Sequence, residues 1–303
     1  MNTNQAIVNA MTVDVEEYFH VAALASAIDK TTWDSIPSRV ESSTNRLLEL
    51  FDEQSISATF FILGWVAERA PQLIRRIADS GHEVACHGQN HQLIYNQAQQ
   101  EFKEETFAAK ALLEDITGKP VSGYRAASYS ITPKSIWALD VLKEAGFKYD
   151  SSIVPVHHDI YGFVGTPDGP YDIVFDDGHR IIEYPPPTVD VMGRVLPIGG
   201  GGYFRIFPYW FSRWGLGQVN KKKGIPFSFY LHPWEVDPGQ PRVNVGAKSR
   251  FRHYTNLGKC ADRLRRLTNE FRFDRMDRVI ADVPRSELTL ASLKEIASQA
   301  DSE

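Results

Sequence analysis

A chain of 303 residues with 43% hydrophobic and 23% charged content can bury a substantial core as a single domain. Its net charge of −5 gives no general attraction to nucleic acid or anionic lipid, and Lys221 to Lys223 read as a solvated run. No stretch is long and apolar enough to span a bilayer, and Cys86 and Cys260 are too few for a disulfide framework or a four-cysteine zinc site. The opening MNTNQAIVNAM lacks a basic start and a following apolar run. The expectation is therefore a reducing, cytoplasmic setting without a secretory signal.

In chain order, IVNAMTVDVE predicts a strand. VESSTNRLLELFDEQ predicts a helix with Val40, Leu47, Leu48 and Phe51 near one face, and SATFFIL a buried strand. Pro71 suits the first turn of a helix ending at Gly81, and HEVACHG follows as a strand. A long amphipathic helix from about Gln99 to Ile116 stops at Gly118, and SGYRAAS reads as a strand end. Pro133 opens a helix running to Gly146, and FKYDSS is a short strand. This βα alternation implies a parallel sheet, open or closed into a barrel, with chemistry at the carboxyl ends of the strands.

From about 157 to 205 the alternation stops. PDGPYD, FDDGH, YPPP and Gly199 to Gly202 mark turns, with short antiparallel strands such as RIIEY. GIPFSFYLHPWE returns to a buried strand ending at His232, TNLGKCADRLRRLTNEF predicts a late helix, and the tail after Pro284 a final amphipathic helix. The expected organisation is a single domain over 1–303. It comprises a catalytic core at 8–235 with a loop-rich insertion at about 157–205, and an extension at 236–303 packed on that core.

Several side chains carry chemistry. His87 and His91 stand four positions apart; joined by a carboxylate from elsewhere in the fold, they make a three-ligand metal site with room for water. In VDVEE, strand alternation puts Asp14 and Glu16 on one side and Val13 and Val15 on the other. Two buried acids side by side are costly unless a cation compensates; the alternative is a solvated acidic turn. Arg125 is placed to clamp a carboxylate bidentately, and the small residues after it let backbone amides approach an oxyanion. His232, at a strand end, suits a general acid oriented by a carboxylate, for which Asp150 is the candidate. At each of these positions an ordinary packing or salt-bridge role remains the alternative.

The order TVDVEE, HGQNH, RAAS, DSS and LHP resembles the polysaccharide deacetylases of the NodB-homology type, carbohydrate esterase family 4, over about residues 8 to 235. LPIGGGGYFR and SRFRHYTNL further resemble the subgroup associated with exopolysaccharide and exosortase gene clusters. The resemblance implies an α/β fold, a distorted (β/α) barrel, and a metal-dependent deacetylase that releases acetate from N-acetylated amino sugars of a bacterial exopolysaccharide or its precursor. Carried over by position, it makes His87 and His91 metal ligands, Asp14 the base held by Arg125, and His232 the acid tuned by Asp150. The cation it implies is divalent, zinc first, with cobalt, nickel or manganese as alternatives.

Two positions depart from the family pattern. Val15 stands where the family has a second, metal-binding aspartate, which makes Glu16 the replacement ligand and leaves open an exchange of roles with Asp14. Ala127 stands where the family has proline, in the loop presenting Ser128 and Tyr129. With Tyr203, Trp234 and Arg252, those two residues are the candidate substrate contacts. The expected partner is an N-acetylated glycan, with no nucleic acid and no membrane span. Alternative readings are an amidase of small cyclic ureides on the same scaffold and a degenerate relative that binds glycan without turnover.

Overall fold

The computed structural model describes residues 7–158 and 160–300. In the first half β1 (Val8–Val15), α1 (Val40–Glu53), β2 (Thr59–Ile62), α2 (Gly64–Arg69), α3 (Pro71–Asp79), β3 (Glu83–Cys86), α4 (Gln99–Thr117), β4 (Gly123–Tyr124), α5 (Ala138–Glu144) and β5 (Tyr149–Asp150) follow in order. Strands β1 to β5 pair in parallel with their sequence neighbours. Pro71 opens α3, where its missing N–H costs nothing. Gly118, at φ 64°, closes α4 in the left-handed conformation. The helix expected from Pro133 begins later, because Thr132 and Ser135 hold Pro133–Ser135 in a 3-10 turn, and α5 proper starts at Ala138.

The second half contributes β6 (Tyr171–Val174), β7 (Arg180–Glu183), β8 (Thr188–Val191), β9 (Arg194–Pro197), α6 (Gly201–Ile206), α7 (Tyr209–Gln218), β10 (Ser228–Leu231), α8 (Ala247–Tyr254), α9 (Leu257–Glu270), β11 (Arg272–Asp274), α10 (Met276–Ala281), β12 (Ser286–Thr289) and α11 (Leu290–Ala300). The main sheet runs β10-β1-β2-β3-β4-β5-β7-β6-β12. This is a mixed α/β fold around a distorted parallel barrel.

One expectation about organisation changes. RIIEY is not only an antiparallel strand of an insertion: β7 is antiparallel to β6 but parallel to β5, with Asp150 opposite Glu183. It is therefore a barrel strand. The segment after residue 235 packs on the core, as expected, and also adds strands to it. β11 pairs with β1, β12 pairs with β6, and Met276, Ile280 and Val283 join Ala10, Phe61, Ala85, Tyr149 and Tyr184 in one buried cluster. The gap between β7 and β10 is bridged by side chain and loop: the Tyr184 hydroxyl donates to the Pro226 carbonyl at 2.8 Å, and Gly200 bridges to Tyr230. Gly200, at φ 136°, sits so close to that strand that a Cβ would lie 1.8 Å from the Tyr230 carbonyl oxygen. Only glycine allows this approach.

Alternation along β1 decides which side chains reach the chemistry. Met11, Val13 and Val15 enter the main core with Leu47, Leu50 and Phe51 of α1. Ala10 belongs to the separate inner cluster, and Thr12 and Asp14 share its face and meet Arg125.

Candidate active site

Asp14 and Glu16 lie at the carboxyl end of β1, and His87 immediately follows β3. His87 Nδ1 sits 2.8 Å from the Arg125 carbonyl oxygen. With its proton donated there, Nε2 keeps a lone pair for a cation. His91 adopts φ 50°, a conformation uncommon for a residue with a side chain and often found at functional sites. Its Nε2 lies 2.6 Å from Glu16 Oε2. The ligand atoms of Glu16, His87 and His91 all fall within 4.8 Å of one another. Two imidazole nitrogens and one carboxylate are a donor set that suits a divalent cation with a position left open. The trio fits such an ion.

Burial opposes charge on these groups, and the neighbours decide the outcome. Burial pushes the Glu16 carboxyl up, but His91 and His232 outweigh it and hold the group far below the ordinary carboxylate range. Burial lowers His87 to about 4, so at neutral pH its imidazole is uncharged and able to ligate. The Trp234 indole N–H donates to Glu16 Oε1 at 3.1 Å, fixing the carboxylate's second oxygen.

Asp14 is held differently. Arg125, fully buried, donates to Asp14 Oδ1 at 2.6 Å, to Thr12 Oγ1 at 2.9 Å and to Ser151 Oγ at 3.0 Å. Its guanidinium also lies 4.1 Å from the Phe61 ring centre. A carboxylate so paired is held in one orientation, as a base requires. The bond to Asp14 is one-pronged, since the rest of the fork serves Thr12 and Ser151.

The carboxylate on His232 is Glu235, not Asp150. Glu235 Oε1 lies 2.7 Å from His232 Nδ1, and its other oxygen accepts from Arg205 Nε at 2.5 Å. Burial works against a charged His232, yet Glu16 and Glu235 raise it to about 9. Asp150 faces its cross-strand neighbour Glu183. Burial raises both carboxyls, Glu183 the more strongly. Asp150 Oδ1 accepts from Ser152 Oγ at 2.5 Å, and Ser152 Oγ in turn accepts from the Ala126 N–H at 2.8 Å. Asp150 thus supports the loop after Arg125. Sequence reasoning missed Glu235 and Arg205; the signal for Glu235 was the capping-box spacing of His232 and Glu235 around the turn Pro233–Val236.

These groups open into a pocket of about 500 Å³ lined by Asp14, Glu16, His87, His91, Ser128, Tyr129, Tyr203, His232, Trp234 and Arg252, among others. Ser128 and Tyr129 take left-handed φ values of 51° and 56°, giving the backbone beside the pocket the sharp turn expected of an oxyanion loop. Tyr203 and Arg252 reach the same pocket from α6 and α8. Trp234 lines the pocket as well: His232 stacks 5.0 Å from it and His253 4.5 Å from it. With rings packed against it and its N–H on Glu16, it also braces the site from the pocket wall.

Comparison with known proteins follows this division. The polysaccharide deacetylase family matches residues 30–149. Over that stretch the chain is similar to the polysaccharide deacetylases. A domain of unknown function, DUF3473, matches residues 151–281. The deacetylase match therefore holds His87, His91 and Arg125, the second match holds Arg205, His232 and Glu235, and Asp14 and Glu16 precede both. Peptidoglycan deacetylase of Helicobacter pylori is 30% identical over 139 residues, 46% of this chain and 43% of that protein. Chitooligosaccharide deacetylase of Sinorhizobium fredii is 33% identical over 112 residues, 37% of this chain and 48% of that protein. The chain thus spans less than half the length of these curated relatives.

Among solved structures, a protein of Mycobacterium smegmatis described as a polysaccharide deacetylase superposes with a TM-score of 0.59 at 19% identity, covering 100% of this chain and 93% of that one. An allantoinase superposes with a TM-score of 0.58 at 15% identity, covering 92% of this chain and 90% of that one. At those identities the likeness is one of fold.

Proposed function

We propose that the protein is a metal-dependent N-deacetylase of amino sugars, acting on a bacterial exopolysaccharide or its precursor. The observation that carries this reading is the convergence of Glu16, His87 and His91 as a ligand trio on one pocket with an Arg-held carboxylate and a Glu-held imidazole. The similarity to peptidoglycan and chitooligosaccharide deacetylases supports the substrate class.

Glu16, His87 and His91 would hold a divalent cation, zinc first. Such a cation supplies Lewis acidity to an amide carbonyl and lowers the pKa of water. Asp14, steadied by Arg125, takes the proton of the attacking water. The backbone at Ser128 and Tyr129 faces the oxygen on which negative charge develops. His232, held by Glu235, delivers a proton to the amine as the C–N bond breaks. Acetate and a free amino sugar leave in equal amounts.

The test is proton NMR of the zinc-loaded protein with N-acetylglucosamine oligomers and, separately, a cyclic ureide. Acetate appearing one for one with new amine supports the reading; ureide opening without acetate overturns it.

A further inference from the structure

We propose that Lys248 and Arg252 form an anion-binding subsite, so that the sugar deacetylated here lies next to a carboxylate or phosphate group of its own substrate. This deepens the deacetylase reading and rests on it.

Lys248 and Arg252 stand four residues apart on α8, hence on one helix face, and both line the active-site pocket, with Ser249 between them. Among the described residues neither forms an ion pair, whereas Arg39, Arg69, Arg180, Arg275 and Arg285 all do. The surrounding segment is strongly basic: residues 238–261 carry Arg242, Lys248, Arg250, Arg252 and Lys259 and no Asp or Glu, in a chain whose net charge is −5. Helix stability does not account for this. Lys248 sits in the first turn of α8, where the helix dipole disfavours a cation and where no acidic residue is present.

The face is also held in register with the reaction centre. Arg205, the partner of Glu235, spends its remaining donors on the carbonyl oxygens of Arg252 at 3.0 Å, His253 at 2.9 Å and Thr255 at 2.8 Å. One buried guanidinium thus anchors both the carboxylate behind His232 and the last turn of α8. The Arg252 charge also acts on the Tyr161 phenol, and Tyr161 lies 3.4 Å from the Tyr203 hydroxyl. The pocket accordingly runs from the ligand trio, past tyrosine hydroxyls, to Lys248 and Arg252. A neutral glycan needs no cation there. A carboxylate or phosphate does, and the planar fork of arginine suits either one.

The experiment measures binding and turnover on the full chain with zinc, in wild type and in Lys248→Ala/Arg252→Ala. The probes are N,N'-diacetylchitobiose, a disaccharide of N-acetylglucosamine and glucuronic acid, and N-acetylglucosamine 1-phosphate. Wild type is expected to bind at least one acidic probe about tenfold or more tightly than the neutral one, as one or two charge-assisted contacts provide. The double variant should bring that ratio to about one, through KM more than kcat. Which acidic probe is preferred identifies the carboxylate or the phosphate as the source. Equal binding of acidic and neutral probes by wild type, or an unchanged ratio in the variant, overturns the proposal. Calorimetric binding decides the subsite even if no probe yields acetate, an outcome that would count against the deacetylase reading alone.

Discussion

On one side of the pocket, Asp14, Glu16, His87 and His91 stand on or just after β1 and β3, separated in the sheet only by β2. On the other, His232 depends on Glu235, Glu235 on Arg205, and Arg205 on the end of α8. In the first wall the three ligand side chains stand on backbone ladders that many residues share, and only Asp14 leans on a buried partner, Arg125. The second follows β10, itself laddered to β1, but the orientation of its imidazole runs through one buried ion pair, Glu235 with Arg205. A scaffold of ladders tolerates change at a distance, whereas a buried pair that loses one partner leaves an uncompensated charge. The two walls should therefore fail in different ways when they are broken.

The largest effect belongs to the first wall. His87→Ala is expected to remove the cation and all detectable acetate release together, as read by metal analysis and turnover. Next, Asp14→Asn should keep metal stoichiometry while lowering kcat by about 10²–10⁴, the range of general-base contributions. Loss of metal in Asp14→Asn, with retention in Glu16→Gln, would exchange the roles of these two acids.

The second wall should respond in stability as well as rate. Glu235→Gln leaves Arg205 without its charge partner, and a loss of about 3 kcal/mol in urea unfolding is expected, together with lower kcat. Asp150→Asn is the comparison that sharpens this claim. It should leave the pH dependence of kcat attributed to His232 in place, whereas Glu235→Gln should move that limb to lower pH.

The smallest effect lies at the opposite end of the barrel, away from both walls. Glu83 accepts from Thr59 Oγ1 at 2.5 Å and from the Tyr149 hydroxyl at 2.9 Å, and burial with Asp277 nearby raises it to about 7. Its folded-state value lies above the ordinary 4.5, so its contribution is full below about 4.5 and is lost as pH rises through 7. Glu83→Gln should gain thermal stability relative to wild type between pH 5 and pH 8. An equal offset at both values would count against a neutral buried Glu83.

The contrast between the walls also marks what the sequence made legible. The βα alternation, the pairing of Asp14 with Glu16 on one strand face and the His87–His91 spacing are local patterns, and local patterns survive in a linear chain. β7 was harder to place because its antiparallel neighbour β6 is close in sequence while its parallel neighbour β5 is not. Asp150 sat at a strand end where an orienting acid was expected, but its register partner Glu183 faces it and takes it out of reach of that role. Arg205 lies 30 residues from Glu235, and nothing in the spacing of two charged residues so far apart announces a buried pair.

Acetate release from N-acetylglucosamine oligomers, measured before chelation, after chelation and after zinc restoration, tests the central claim most directly. Activity that disappears with the metal and returns with it, in wild type but not in His87→Ala, is the predicted result. Acetate release that survives chelation with no metal left on the protein would contradict it.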